Sequence, residues 1–539
     1  MGQITVDTLR SLPMSHAVRG SERDWFARGD ILTHMNRWRF AIRVYFLCAA
    51  ALLLDGVGPG AAAELPAGPA DPVARDPGQF DPARPISREL QANVPDGFTV
   101  AAAGDLIISR PLSQYAARLP AFRSALDVLG RANAVYGNLE TVIFDARTFT
   151  GAPYSWDGDW TVSSVPAVAR DLRAMGFTMV SRANNHALDF GLEGMRETSR
   201  WLDEAGIMHA GSGETHGLAR APQFLETGAG RVALVSLAST FRPTTESLPP
   251  AGATPGRPGI SALHLRTITN VPPKAAAALA EAQCALKPAS CGKAQHEGEL
   301  FGTKYREAAV YSYEYAMDEA DLAEIYRSIR SAKENADFVV VSIHAHECSL
   351  GCDDDAQPRG PGDFLKHLAH GAIDSGADMF VVTGNHNLGP IEIYKSPARG
   401  ARPIFYGLGN FFWSDVQALL PHDLIRGNHA LLAAAWQDPG KATDYDLTAP
   451  LNQATFAHAF TFQSVLASCR FDGRQLSRVE LHPIELGYGS TLTESGIPRV
   501  ATDTATAAGI FRQIVDQTAN FGLPALNIEY SRGIAIIRP

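Results

Sequence analysis

The chain has 539 residues, 45% hydrophobic and 19% charged, with 48 Gly and 34 Pro. That balance belongs to a globular protein and excludes a disordered or fibrous one. A formal net charge of -10 leaves no general basic footprint for nucleic acid, so partners have to be recognised at local sites.

In chain order, residues 1–34 precede Met35, a conventional start, and read as a non-native N-terminal extension. Arg37, Arg39 and Arg43 then lead into the apolar run Val44 to Leu54 and the small residues Ala61-Ala62-Ala63. Residues 35–63 therefore read as a signal peptide, which predicts a periplasmic or secreted product. The apolar run is roughly half the ~20 residues that a spanning helix needs, so a membrane anchor made by the uncleaved segment is the alternative. Residues 64–96, rich in Pro and Ala, read as a linker, and 97–539 as one domain. Of the six cysteines, Cys284 with Cys291 and Cys348 with Cys352 form two close pairs. In an oxidising compartment these are disulfide candidates.

From Phe98 onward short apolar runs alternate with helical stretches, which predicts an α/β (α+β) fold of buried strands between covering helices. The expected strands are Phe98 to Ala101, Phe177 to Val180, Val232 to Leu237, Phe338 to Ile343, Met379 to Val382 and Ile404 to Tyr406. The expected helices are Ser113 to Leu129, Glu319 to Ala336, Asp363 to Asp374 and Ala507 to Phe521. Residues from about 270 to 313, with an Ala-rich helix, the Cys284/Cys291 pair and a polar loop, read as an insertion.

The chemistry-bearing residues follow the strands, where loops converge in α/β architectures. Asp105 after Gly104 offers a hard oxygen. Asn138 and Glu140 alternate with Leu139 and can face one side. In Ala183-Asn184-Asn185-His186 a carboxamide and an imidazole suit a divalent metal, with Asp189 placed to orient the histidine. His344 ends an apolar strand, so one of His344 and His346 is expected to be a ligand, with His344 favoured; Glu347 is a local hydrogen-bond partner. His386 follows the Met379 to Val382 strand. This mixed nitrogen and oxygen set, spread along the chain, fits one or two divalent ions such as Zn, Mn or Fe that activate water for attack on a phosphoryl or carbonyl centre. The residues expected to act in catalysis are His186, Asp189 and His346.

These motifs, with His209-Ala-Gly-Ser-Gly213, Arg257-Pro-Gly-Ile260, Ile-Glu392-Ile-Tyr394 and Tyr406-Gly-Leu-Gly-Asn410-Phe, resemble the CapA/PgsA capsule and poly-γ-glutamate synthesis proteins of the calcineurin-like metallophosphoesterase superfamily. The resemblance implies a four-layer αββα sandwich. It implies metal roles for Asp105, Glu140, Asn185, His186, His344 and His386, and support from Asn410 and His209. The sequence departs from the phosphoesterase pattern at Ile107, where that superfamily places a histidine. The segment Gly384-Asn385-His386 also carries one histidine where the family usually has two. The implied function is an exported, capsule-related hydrolase acting on a phosphoester or glutamyl substrate, in company with an anionic cell-surface polymer and a capsule-synthesis membrane complex. The alternative is a non-catalytic polymer-binding accessory protein.

Overall fold

The computed structural model describes residues 91–539 except 154–159, 293–295, 350–359, 415–421, 434–436, 439, 444–445, 448, 451–457 and 492. The expected extension, the signal peptide and nearly all of the linker lie outside the described residues. Among the described residues no helix is long and apolar enough to cross a membrane.

Two sheets face each other. The ten-stranded sheet runs Ile528–Ser531, Ile534–Ile537, Gln475–Glu485, Gln463–Asp472, Phe98–Ile107, Ala134–Leu139, Met179–Ser181, Met208–Ala210, with Asn410–Trp413 paired to Phe98–Ile107 and Arg499–Val500 to Gln475–Glu485. The six-stranded sheet runs Ile391–Ser396, Gly400–Phe405, Met379–Thr383, Phe338–His344, Gly230–Ala238, Gln223–Thr227. Around the cleft the strands of both sheets are parallel, and each is covered on two faces. That is why they read as near-continuous apolar runs.

Alternation along each strand divides the layers. Val100, Ala102, Tyr136, Leu234, Phe338, Val340, Met379 and Val381 meet between the sheets. Their neighbours Ala101, Ala103 and Val135 pack outward against the helices Pro120–Leu129 and Ala167–Ala174. On the other side Val339, Val341, Phe380 and Val382 pack against Glu319–Asn335 and Phe364–Ser375. The result is the four-layer αββα sandwich that the resemblance implies. The helix Thr504–Asn520 adds Ile510, Phe511 and Ile514 to the inter-sheet core.

Three expectations need correction. The stretch Ser113 to Leu129 is a short 3-10 turn, Ser113–Ala117, followed by the helix Pro120–Leu129. Pro120 supplies no N–H to a continuing helix and instead occupies its first turn. Phe177 falls outside the strand Met179–Ser181. The polar loop of the insertion is a hairpin, Glu297–Leu300 with Thr303–Glu307, in a four-stranded sheet completed by Leu265–Val271 and Ser312–Met317. The helix Pro273–Leu286 covers that sheet over a small core of Val271, Ala276 and Tyr305. Cys284 and Cys291 form the expected disulfide. Cys348 is disulfide-bonded, while Cys352 lies outside the described residues.

Candidate metal centre

The alternation that fills the core also builds the site. On Ala134–Leu139, Ala134 and Tyr136 face the opposite sheet, so Asn138 and then Glu140 continue on that face at the strand's carboxyl end. On Phe338–His344, Phe338 and Val340 do the same, which carries His344 to the same face. A register shift between Ala102 and Asp105 turns the Asp105 side chain inward as well. Gly104 is required there, because a Cβ at that position would sit 1.7 Å from the Gly409 carbonyl oxygen.

Asp105, Asn138, Glu140 and His344 are each no more than 1% exposed. Asp105 Oδ1 accepts from Asn138 Nδ2 at 2.9 Å, and Oδ2 accepts from the Gly384 N–H at 3.1 Å. Asn138 Oδ1 accepts from Ser181 Oγ at 2.9 Å and Asn184 Nδ2 at 3.2 Å. Asn184 is itself fixed, since it donates to the Leu139 carbonyl at 2.9 Å and accepts from the His186 N–H at 3.2 Å. Asn138, expected as a ligand, therefore turns its NH2 group toward Asp105, Glu140 and His344. Asn185 Oδ1 is buried without a hydrogen-bond partner.

Glu140 stands at the centre. Its Oε1 has no hydrogen-bond partner and lies 3.7 Å from His344 Nε2 and 3.9 Å from His186 Nε2. Burial, and then the neighbouring Asp105 carboxylate, hold its carboxyl well above the ordinary range. Burial also holds the His344 imidazole well below its ordinary range, with His346, His386 and His186 acting in the same direction. A neutral ring is the form that can ligate. His346 Nε2 lies 3.0 Å from His344 Nε2, so the structure brings both histidines to the cluster. Gly384, at φ +100°, leaves room for them, because a Cβ there would come within 2.9 Å of both rings.

His386 takes a left-handed backbone, φ +54°. Its Nδ1 lies 3.0 Å from Asn410 Oδ1 and 3.4 Å from Asp105 Oδ2. Asn410 Nδ2 also donates to the His386 carbonyl at 3.3 Å, so Asn410 braces both the ring and the backbone of that turn. His186 Nδ1 lies 2.7 Å from Asp189 Oδ2, which directs Nε2 toward Glu140. Glu347 accepts from Ser239 Oγ at 2.6 Å and Thr240 Oγ1 at 3.1 Å, so its hydrogen bonds reach the loop after Gly230–Ala238 and are not local. Ile107 packs with the helix-side core.

His209 stands apart. Met208 and Ala210 face the inter-sheet core, so His209 points to the helix layer, where its Nε2 meets Asp203 Oδ1 at 3.3 Å. Burial pushes its pKa down to about 4. Sequence reading missed Arg242, whose Nη1 lies 3.1 Å from Asp189 Oδ1; an Arg inside Phe-Arg-Pro-Thr carries no periodic or spacing signal.

Among the described residues two donor triads emerge, Asp105 with Glu140 and His386, and Glu140 with His344 and His346, each with ligating atoms within 4.8 Å of one another. Both use Glu140. A buried carboxylate oxygen with no partner is unfavourable unless a cation meets it. Carboxylate and imidazole together suit zinc, manganese or iron. The residues present fit a divalent ion.

Fold and site together define a four-layer α/β sandwich with a shared-carboxylate donor cluster at the carboxyl ends of its parallel strands. Within that class, the chain belongs to the bacterial capsule synthesis protein PGA_cap family, whose model matches residues 99–414. It is 40% identical over 441 residues to an uncharacterized protein of Sinorhizobium fredii, across 79% of this chain and 90% of that one. It is 23% identical over 319 residues to the capsule biosynthesis protein CapA of Bacillus anthracis, across 58% of this chain and 59% of that one. A probable polyglutamine synthesis accessory protein of Mycobacterium tuberculosis is 26% identical over 277 residues, across 51% and 54%. A putative 5'-nucleotidase of Staphylococcus aureus superposes over 78% of this chain and 58% of its own at a TM-score of 0.32 and 10% identity, too loosely to bear on the fold.

Proposed function

We propose that this chain is an exported protein of capsule or poly-γ-glutamate biosynthesis that acts as a metal-dependent hydrolase on a phosphoester or a glutamyl amide of a cell-surface polymer. The observation that carries this reading is Glu140, buried, with Oε1 unpartnered and shared by two donor triads. Asp105, Glu140, His344, His346 and His386 would hold one or two divalent ions, with the unpartnered Asn185 Oδ1 a further oxygen donor. Such ions supply Lewis acidity toward a phosphoryl or carbonyl oxygen and toward an attacking water. His186, oriented by Asp189, carries a proton at Nε2 to or from the reacting group.

The departure at Ile107 favours a second reading, an accessory protein that binds polymer without turnover, since the cluster lacks one histidine of the phosphoesterase pattern. The two separate in one experiment, turnover of p-nitrophenyl phosphate and of γ-glutamyl-p-nitroanilide by chain reconstituted with Zn, Mn or Fe. The hydrolase reading expects metal-dependent turnover that falls about 100- to 10,000-fold in His186→Ala. No turnover with any of the three metals, alongside retained binding of poly-γ-glutamate, overturns it in favour of the accessory reading.

A further inference from the structure

Asp189 is fully buried and held on both sides. Its Oδ2 accepts from the Val162 N–H at 2.8 Å as well as facing His186 Nδ1 at 2.7 Å. Its Oδ1 faces Arg242 Nη1 at 3.1 Å, an ion pair without hydrogen-bond alignment. Arg242 is 6% exposed and comes from the other sheet, four residues beyond the end of the strand Gly230–Ala238. The stretch between is tied to the opposite side of the cluster. The Ser239 N–H donates to the His344 carbonyl at 3.0 Å, and Thr240 Oγ1 accepts from the His346 N–H at 2.7 Å.

We infer that Arg242 is a positioning residue. It pins Asp189 Oδ1 from the loop that follows a strand of the other sheet, so that Oδ2 holds the His186 ring with Nε2 toward Glu140. The inference rests on the reading that His186 works in this cleft. A carboxylate anchored only by Oδ2 can rotate about its terminal torsion, which is broad. An ion pair on the second oxygen removes that freedom, and one short segment then registers the His186 side against the His344/His346 side. Removing the guanidinium also leaves Asp189 buried with less compensation.

The test is hydrogen exchange of the His186 Nδ1 proton in the full chain labelled with 15N-histidine, assigned by its absence from His186→Ala. Wild-type chain should show a protected Nδ1–H. Arg242→Met should exchange about 10-fold faster or more, with Arg242→Lys returning most of the protection. Should Arg242→Met fail to fold, Arg242→Gln, which keeps part of the stem without the charge, is read the same way. Unchanged protection in a folded Met or Gln variant overturns the inference. Turnover of p-nitrophenyl phosphate and of γ-glutamyl-p-nitroanilide by the same samples, reconstituted with Zn, Mn or Fe, separates the two proposals. A protected proton lost in Arg242→Met while wild type turns over neither substrate leaves the positioning intact and removes the hydrolase reading.

Discussion

The strand Met379–Thr383 has a buried carboxylate near each end, and the two are treated in opposite ways. At its amino end Asp378 is fully buried against Lys333 at 3.2 Å, Arg399 at 2.5 Å and Arg402 at 3.3 Å, and it accepts from the Val339 N–H at 3.0 Å. Burial alone pushes that carboxyl up, but the three cations overcome it and hold the group below its ordinary range. At the carboxyl end Glu140 is equally buried, its first charged neighbour is another acid, and its carboxyl is held up. One end carries its own counter-charges. The other leaves a carboxylate oxygen without a partner beside several imidazoles, which is the physical difference between a structural ion cluster and a candidate metal centre.

Substitutions can break that comparison, beginning with the largest effect. Asp378→Asn leaves three buried cations without their anion and should destabilise the fold by about 3–5 kcal/mol in denaturant titrations. The sign with pH follows from the lowered pKa. Wild type's advantage over Asp378→Asn is complete above the unfolded value of 3.8 and shrinks as pH falls through the lower folded value. Glu140→Gln should do the reverse. It lowers metal affinity by about 100-fold or more, yet the metal-free variant should be no less stable than metal-free wild type, because the amide replaces a buried carboxyl whose ionisation burial and Asp105 already oppose. A metal-free Glu140→Gln destabilised as strongly as Asp378→Asn would erase the contrast.

A smaller effect is expected at Gly384. The Cβ of Gly384→Ala would meet the His344 and His346 rings at 2.9 Å, on a backbone at φ +100°. Zinc titration should show roughly 10-fold weaker binding, with about 1 kcal/mol or more lost from the fold. His209→Gln marks the lower limit. Its ring lies on the helix side, so metal affinity should stay within about twofold of wild type; a larger loss would place His209 in the site after all.

The site end of this contrast could be read from the sequence, and the Asp378 end could not. The runs at Phe338 and Met379 are apolar throughout because both faces are covered, and the polar residues that follow them mark the carboxyl ends where the cleft lies. Asp105, Glu140, His186, His344 and His386 were each visible as a polar residue closing such a run. What failed was direction. His209 carries the right residue type beside a strand end, but its neighbours Met208 and Ala210 take the core face and leave it outward. Asn138 stood among the candidate ligands, and only the Asn184 and Ser181 contacts, which engage its oxygen, show that its NH2 group faces the cluster. Arg242 could not be found because its partner Asp189 lies 53 residues away in the turn that follows the strand Met179–Ser181 of the other sheet, and no local pattern links the two. The hairpin of the insertion was hidden because Glu297–Leu300 and Thr303–Glu307 are short, polar and half-exposed, so pairing defines them more than hydrophobicity does.

The most direct test of the central claim is the metal content of the purified chain by elemental mass spectrometry, after reconstitution with zinc, manganese and iron, beside Glu140→Gln and His209→Gln. Wild type and His209→Gln should each carry about one or two equivalents of a divalent transition metal, and Glu140→Gln should lose it. A wild-type chain that retains none of the three, or a Glu140→Gln variant that keeps a full complement, would contradict it.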